Sequence, residues 1–236
     1  MTISREQLQR IRSRHLGYRI TLIYQLVLLL LLPVSQRFTP LLSLLLIGLA
    51  LVFMVCVNRF TGLRQAAPLT YGLGCTAIAL EVIWRVALVL SPAAGRLITL
   101  PHVGVWLLFL VAVVVRGVKA LIREPFVTIS VLLGAASGYL TLGIAGGVLL
   151  TSVWVLQPSA FLVSALPPLI GNSVPNGAVA SALMTASFGL LSTAGTAVIN
   201  SRDVSVQVLA TLITISGQLY IAILIGLIMG RMQQRT

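Results

Sequence analysis

Few residues in this chain of 236 could do chemistry. Its acids are Glu6, Glu81, Glu124 and Asp203, and its histidines are His15 and His102. Acid–base work by paired carboxylates and metal binding by clustered ligands both need more such groups at closer spacing. Rhomboid-like intramembrane proteases pair a Gly-x-Ser-Gly serine with a histidine two helices further on, which takes its proton. Ser137-Gly138 is the nearest serine motif, but Ala135-Ala136 precedes it and no histidine follows His102. A serine without a base has nothing to activate it. Cys56 and Cys75 both sit in apolar runs, so no disulfide framework is indicated. No enzymatic activity and no cofactor are expected. Two features remain. Glu81 and Arg85 stand four apart in an apolar run, on one helix face. Ionisable groups there are costly and tend to pair, so a mutual ion pair is expected. The turn Ser192-Thr193-Ala194-Gly195-Thr196-Ala197 follows a short apolar run and offers hydroxyl and carbonyl oxygens, the groups that replace water around a cation.

The elements that must position these groups are apolar helices. Hydrophobic residues make up 58% of the chain and charged residues 8%, against about 25% charged in a soluble domain. The mean hydropathy is +1.06. This is a polytopic membrane protein by composition. Six runs reach the roughly 20 residues needed to cross a bilayer core: about 18–34, 40–57, 69–90, 97–115, 125–156 and 204–230. The stretch 157–203 differs. It holds Pro158, Pro167, Pro168 and Pro175, then an apolar run over 178–191 that is too short to cross and suits a re-entrant segment. The expected fold is an all-α integral membrane protein: six transmembrane helices with one re-entrant helix and loop between the fifth and sixth. The first span follows basic residues, but Ser35-Gln36-Arg37-Phe38 makes a poor cleavage site, so a retained anchor is the reading. Ahead of it, Ser4 with Gln7 fits a capping box, and Ile3, Leu8, Ile11 and Leu16 recur near helical spacing. A short amphipathic helix on the inner surface is expected, the alternative being a basic tail.

Orientation follows from the positive charges. With a cytoplasmic N-terminus, the inside receives Arg5, Arg10, Arg12, Arg14, Arg19, Arg59, Arg64, Arg116, Lys119, Arg123, Arg231 and Arg235. The outside receives Arg37, Arg96 and Arg202, and Arg85 stays in the membrane. This bias predicts both termini in the cytoplasm and an even number of spans. It also accounts for the net charge of +12 without a nucleic-acid partner. A voltage sensor would carry an arginine at every third position, and 97–115 has none before Arg116. The organisation reads as a cytoplasmic N-terminal segment, 1–17; a four-helix peripheral membrane domain, 18–124; a helix–loop–helix module, 125–231; and a cytoplasmic tail, 232–236. No regulatory nucleotide or calcium domain is expected after Gly230, and no inverted repeat of 157–230 stands in the first half.

The order helix, loop, short helix, extended turn, helix is carried by specific residues. The last span reads Ser216-Gly217-Gln218-Leu219-Tyr220-Ile221-Ala222 and runs on to Gly230; the fifth holds Gly134-Ala135-Ala136-Ser137-Gly138-Tyr139-Leu140 with Leu142-Gly143; Gln157-Pro158-Ser159-Ala160-Phe161 forms the corner between. Over residues 116–231 the chain resembles bacterial six-helix members of the potassium-channel, or ion-channel-domain, superfamily. The resemblance implies a homotetramer in the lipid bilayer of a bacterial cytoplasmic membrane, with an internal membrane as the alternative. It implies a passive path for monovalent cations, potassium and also sodium, lined by Ser192 to Ala197. Asp203 then stands at the outer mouth, and Gly217, Gln218 and Tyr220 form the inner-helix signature. Gly217 reads equally as a gating hinge or as a site of close packing. The family filter is T-V-G-Y-G-D. Here Thr193 and Gly195 match, while Thr196, Ala197 and Val198 replace the aromatic residue, the second glycine and the acid. In a left-handed conformation Ala197 costs roughly 1–2 kcal/mol per subunit. Weak or altered selectivity is therefore expected. The alternative is a non-conducting channel homologue serving as a structural or accessory subunit of another membrane complex.

Overall fold

The computed structural model describes residues 5–38, 40–60, 67–123, 128–162, 177–199 and 203–233. The Ser4 end of the capping box, Arg64, Glu124, residues 163–176, Arg202 and the last three residues lie outside the described residues. The described chain is all-helical: α1 (Arg5–Ser35), α2 (Leu41–Phe60), α3 (Ala67–Leu90), α4 (Pro92–Arg123), α5 (Ile129–Leu156), α6 (Gly177–Leu191) and α7 (Val204–Gln233). A single 3₁₀ turn, Pro158–Ala160, follows α5. Helices suit this sequence because a backbone among apolar surroundings must satisfy its own N–H and C=O groups within the segment. Five helices carry stretches long and apolar enough to cross a membrane: His15–Ser35, Pro68–Leu90, Ala93–Ile122, Ile129–Leu156 and Val204–Leu227. Two shorter apolar stretches, Leu41–Cys56 and Ala178–Leu191, lie on α2 and α6.

The helices α1 to α6 run alternately up and down, α7 runs in the same sense as α6, and cross-helix contacts fix their register. α1 and α5 are parallel, with the Gln25 Nε2 donating to Thr141 Oγ1 at 2.8 Å and the Tyr18 ring lying against Gly134. α2 returns along α1, where the Tyr24 hydroxyl donates to Leu45 O at 2.9 Å. α3 and α4 form a hairpin with only Ser91 between them. The largest cluster of buried side chains, including Leu28, Leu49, Trp106, Phe109, Ile144 and Met184, joins α1, α2, α4, α5 and α6. A second, including Leu150, Trp154, Phe161, Leu183 and Leu191, lies between α5, α6 and the start of α7.

Two helices are longer than the runs that announced them. α1 is one continuous helix of 31 residues, so the basic N-terminal segment and the first span share an axis. Nothing between Ser13 and Gln25 breaks a helix; Gly17 alone costs only about 1 kcal/mol there. α4 extends over 32 residues, carrying Arg96 at one end and Arg116 and Lys119 toward the other.

Candidate functional site

The turn after α6 is positioned by an antiparallel fit of α6 along α5. Met184 lies against Gly147, Phe188 against Gly143, and the Ser187 hydroxyl donates to Gly143 O at 2.7 Å. Glycine at these points lets the helix axes approach closely, the usual solution where apolar surroundings offer no hydrophobic drive between helices. At the far end the Tyr139 hydroxyl donates to Leu191 O at 2.9 Å. α6 therefore starts beside the C-terminal end of α5 and ends level with Tyr139. The chain then returns to where it began. Leu162 N donates to Val198 O at 2.8 Å, and Phe161 pairs with Ile199 in a single antiparallel bridge. The Gln157 Nε2 donates to Asp203 Oδ2 at 2.9 Å. Fourteen residues of helix separate Asp203 from Gly217, the α7 residue that touches Leu191. The turn thus lies about 20 Å along α7 from its start.

Within the turn, Ser192, Thr193, Ala194, Gly195 and Ala197 are exposed and Thr196 is half-buried. Thr193 has φ +62° and Gly195 φ +78°. Left-handed backbone is ordinary for glycine and strained for a β-branched residue. Among the described residues the strain sits at Thr193, and Ala197 keeps a negative φ. Thr193 thereby closes the helix: its N–H donates to Leu190 O at 3.0 Å, as in a left-handed C-terminal cap. The other terminal carbonyls of α6 are also taken. Phe188 O accepts from Ser192 N, Gly189 O from Gly195 N, Leu190 O also from the Thr214 hydroxyl, and Leu191 O from Tyr139. The Gly195 carbonyl oxygen points back at Gly189, where a Cβ would lie 2.5 Å from it. The hydroxyl of Thr193 donates to Ser192 O at 2.6 Å.

Asp203 caps α7. Its Oδ1 accepts from Ser205 N at 3.0 Å and Val206 N at 3.2 Å, satisfying two of the donors a helix N-terminus leaves open. Gly217 packs so tightly that an added Cβ would stand 2.6 Å from Leu191 O, a backbone atom. Tyr220 is buried, with its hydroxyl donating to Ala135 O at 2.8 Å and lying over Gly138. These residues dock α7 on α5 and α6. Gln218 is exposed on another side of the helix. It shares that side with Gln207, Thr211 and Thr214, which follow at helical spacing and form a polar stripe between the docked face and an apolar exposed face.

A second cluster surrounds Glu81, which is 1% exposed. Its Oε1 accepts from the Ser43 hydroxyl at 2.6 Å, and its Oε2 lies 2.7 Å from His102 Nε2. Arg85 Nε stands 3.6 Å from Oε1. The nearest partners of Glu81 are thus on α2 and α4 rather than one turn away. Trp84 stacks flat on His102, with centroids 4.5 Å apart, and donates its indole N–H to Thr99. Sequence reasoning missed His102 as a partner. The available signal was the hairpin: with Ser91 as the only link, Glu81 and His102 stand ten and eleven residues on either side of it. Ser43 carried no signal. Arg85 joins α5 and α6 residues around a cavity of about 20 Å³, which has room for about one water. Among the described residues, no group of three potential metal ligands occurs.

No protein-family model matches the chain, and neither a curated protein nor a solved structure matches it.

Proposed function

We propose that the chain is a channel-like membrane protein: a homotetramer with six spans and one re-entrant helix per subunit, passing monovalent cations with weak or altered selectivity. The observation that carries this reading is the α6 hairpin. It enters between α5 and α7, turns about 20 Å along α7, exposes Ser192 to Gly195 and Ala197, and returns to the end it came from. An exposed polar turn at that depth is tolerated only against protein or water. The polar stripe of α7 makes the same demand. One turn supplies a quarter of an oxygen ring, so four copies are needed to surround an ion. α2 counts as the sixth span: its 20 residues extend about 30 Å beside α1. Potassium and sodium are the proposed ions, with both termini cytoplasmic in a bacterial cytoplasmic membrane, following the distribution of arginine and lysine.

A specific observation favours a second reading, in which the protein does not conduct and serves as a subunit of another membrane complex. Gly195 is one of two residues matching the family filter, and its carbonyl turns onto its own α6. The test is ion flux from purified protein in liposomes under potassium, sodium and anion gradients. The first reading expects cation flux with little preference between potassium and sodium. It also expects a shift toward potassium when Thr196→Tyr, Ala197→Gly and Val198→Asp are combined. Strong exclusion of sodium by the wild type contradicts the weak filter. Silence of both forms, or a monomer by native mass measurement, selects the non-conducting reading. Labelling of a cysteine at position 202 from the cytoplasmic side contradicts the topology.

A further inference from the structure

Arg116 lies on α4 within the stretch Ala93–Ile122, which is apolar enough to cross a membrane. It is 8% exposed, and its Nη1 and Nη2 are buried without a hydrogen-bond partner among the described residues. A guanidinium carries five donors and stays charged. Burying one unpaired is among the most unfavourable arrangements a fold can hold. The acids whose side chains are described are committed elsewhere: Glu81 to Ser43 and His102, and Asp203 to the start of α7. Arg116 instead borders a cavity of about 80 Å³ between α1, α2, α4, α5 and α7. The cavity also has the walls Thr21, Phe53, Val113, Ser137 and Tyr220. The hydroxyls of Thr21 and Tyr220 already donate to Gly17 O and Ala135 O, so the cavity holds one cation among mostly apolar surfaces and no described anion.

The cavity is half open, so a ligand can enter it from outside the bundle. Water could fill it but would leave the charge unbalanced and wet the apolar walls. We infer that the cavity binds the oxyanion head of an amphiphile, a phosphate or carboxylate carried on an apolar chain, with Arg116 as its anchor. The anion neutralises the guanidinium and accepts its paired N–H groups, the fork geometry that arginine offers phosphate and carboxylate. The apolar carrier meets Phe53 and Val113. This inference does not rest on ion conduction. Because Tyr220 belongs to both the cavity wall and the docking of α7 on α5, occupancy also braces α7.

The source of the anion is decided by thermal unfolding of the full chain in lipid nanodiscs. The three arms are phosphatidylcholine alone, phosphatidylcholine with phosphatidylglycerol, and phosphatidylcholine with inorganic phosphate added. Phosphatidylglycerol is expected to raise Tm by about 4 °C, as for a ligand well above its Kd. Native mass measurement should find it retained. Arg116→Gln should abolish the rise. Ser137→Leu fills the cavity but keeps the charge, and should abolish it too, which preserves the test if the arginine variant folds poorly. Lys119→Gln removes an exposed charge one turn away and should leave the rise intact. Equal Tm in the two lipids, or a rise that survives both cavity variants, overturns the site. The full rise with inorganic phosphate alone overturns the apolar carrier. A rise that appears only in Glu6→Gln or Glu124→Gln, and not in the wild type, would place the anion within the chain and overturn the inference as well.

Discussion

The helices before residue 124 and those after 128 solve the same problem by different chemistry. In the first region charge is buried and, Arg116 apart, matched across helices: Glu81 draws together Ser43 of α2, His102 of α4 and Arg85 of its own helix. In the second, no buried charged side chain occurs among the described residues, and the buried polar groups include the hydroxyls of serine, threonine and Tyr220. Several donate to a helix carbonyl, as Thr141 does to Ser137 O, Ser152 to Val148 O and Ser187 to Gly143 O. What fixes the second region is steric. Twelve of the chain's twenty glycines follow residue 128, and Gly134, Gly138, Gly143, Gly147 and Gly217 each receive a side chain or carbonyl where a Cβ would stand. Packing by small residues places α6 and α7 at a close, defined distance and leaves α7 free to show a polar stripe. Packing by charge specifies partners instead, and is less tolerant of losing one.

That asymmetry is tested first at Glu81. Glu81→Ala takes the shared acceptor from the buried Ser43 and His102 side chains and the carboxylate from the half-buried Arg85. Breaking a buried pair in this way costs about 3–5 kcal/mol. Denaturant unfolding in detergent should show this as the largest loss of any single substitution considered. A loss under about 1 kcal/mol would mean that the cluster is solvated and that the two regions do not differ as described.

The steric region is tested by two glycines of one helix. Gly217→Ala drives a methyl group into the Leu191 carbonyl and should cost about 1–3 kcal/mol. Gly226 has nothing within 4 Å of an added Cβ, so Gly226→Ala should be neutral or stabilising by up to about 1 kcal/mol through helix propensity alone. Equal responses would show that Gly217 acts through helix flexibility, the hinge alternative, rather than through packing. A smaller effect is expected from Tyr139→Phe. It strips the Leu191 carbonyl of its side-chain donor, at about 1–2 kcal/mol.

What the sequence disclosed differs between the regions for the same reason. Apolar runs are a one-dimensional signal, and all six, together with the short run over 178–191, coincide with helices in the structure to within a few residues, except where α1 and α4 run on past their apolar parts. The order of helix, hairpin and helix was legible because Pro158 and the small residues of the turn punctuate it. Partnership was not. An i, i+4 spacing is visible along a helix, so Arg85 was found, but Ser43 and His102 meet Glu81 only after three helices have packed. The turn was read by its match to a filter motif, which located Thr193 and Gly195 but said nothing of their backbone. A Thr in left-handed conformation is visible only once α6 has ended and needs a cap. Nor could the sequence show that Tyr139 and Thr214, from two other helices, would supply donors to that same end.

The smallest effect separates structure from conduction at Asp203. Its carboxylate accepts two backbone N–H groups at the start of α7 and one from the Gln157 amide, so its position is explained by capping alone. Asn caps a helix about as well as Asp, whereas Ala loses about 1 kcal/mol. Asp203→Asn should therefore leave stability within about 0.5 kcal/mol of wild type, while Asp203→Ala should lose about 1 kcal/mol. Cation flux responds to a different property. If four aspartates stand at the mouth of a pore, their charge raises the local cation concentration, and this contribution is screened by salt. Both substitutions should then reduce flux by a similar factor at low ionic strength and converge on wild type at high salt. If only Asp203→Ala changes anything, and changes stability alone, Asp203 is a cap and not part of an ion path. The proposal then loses its outer mouth.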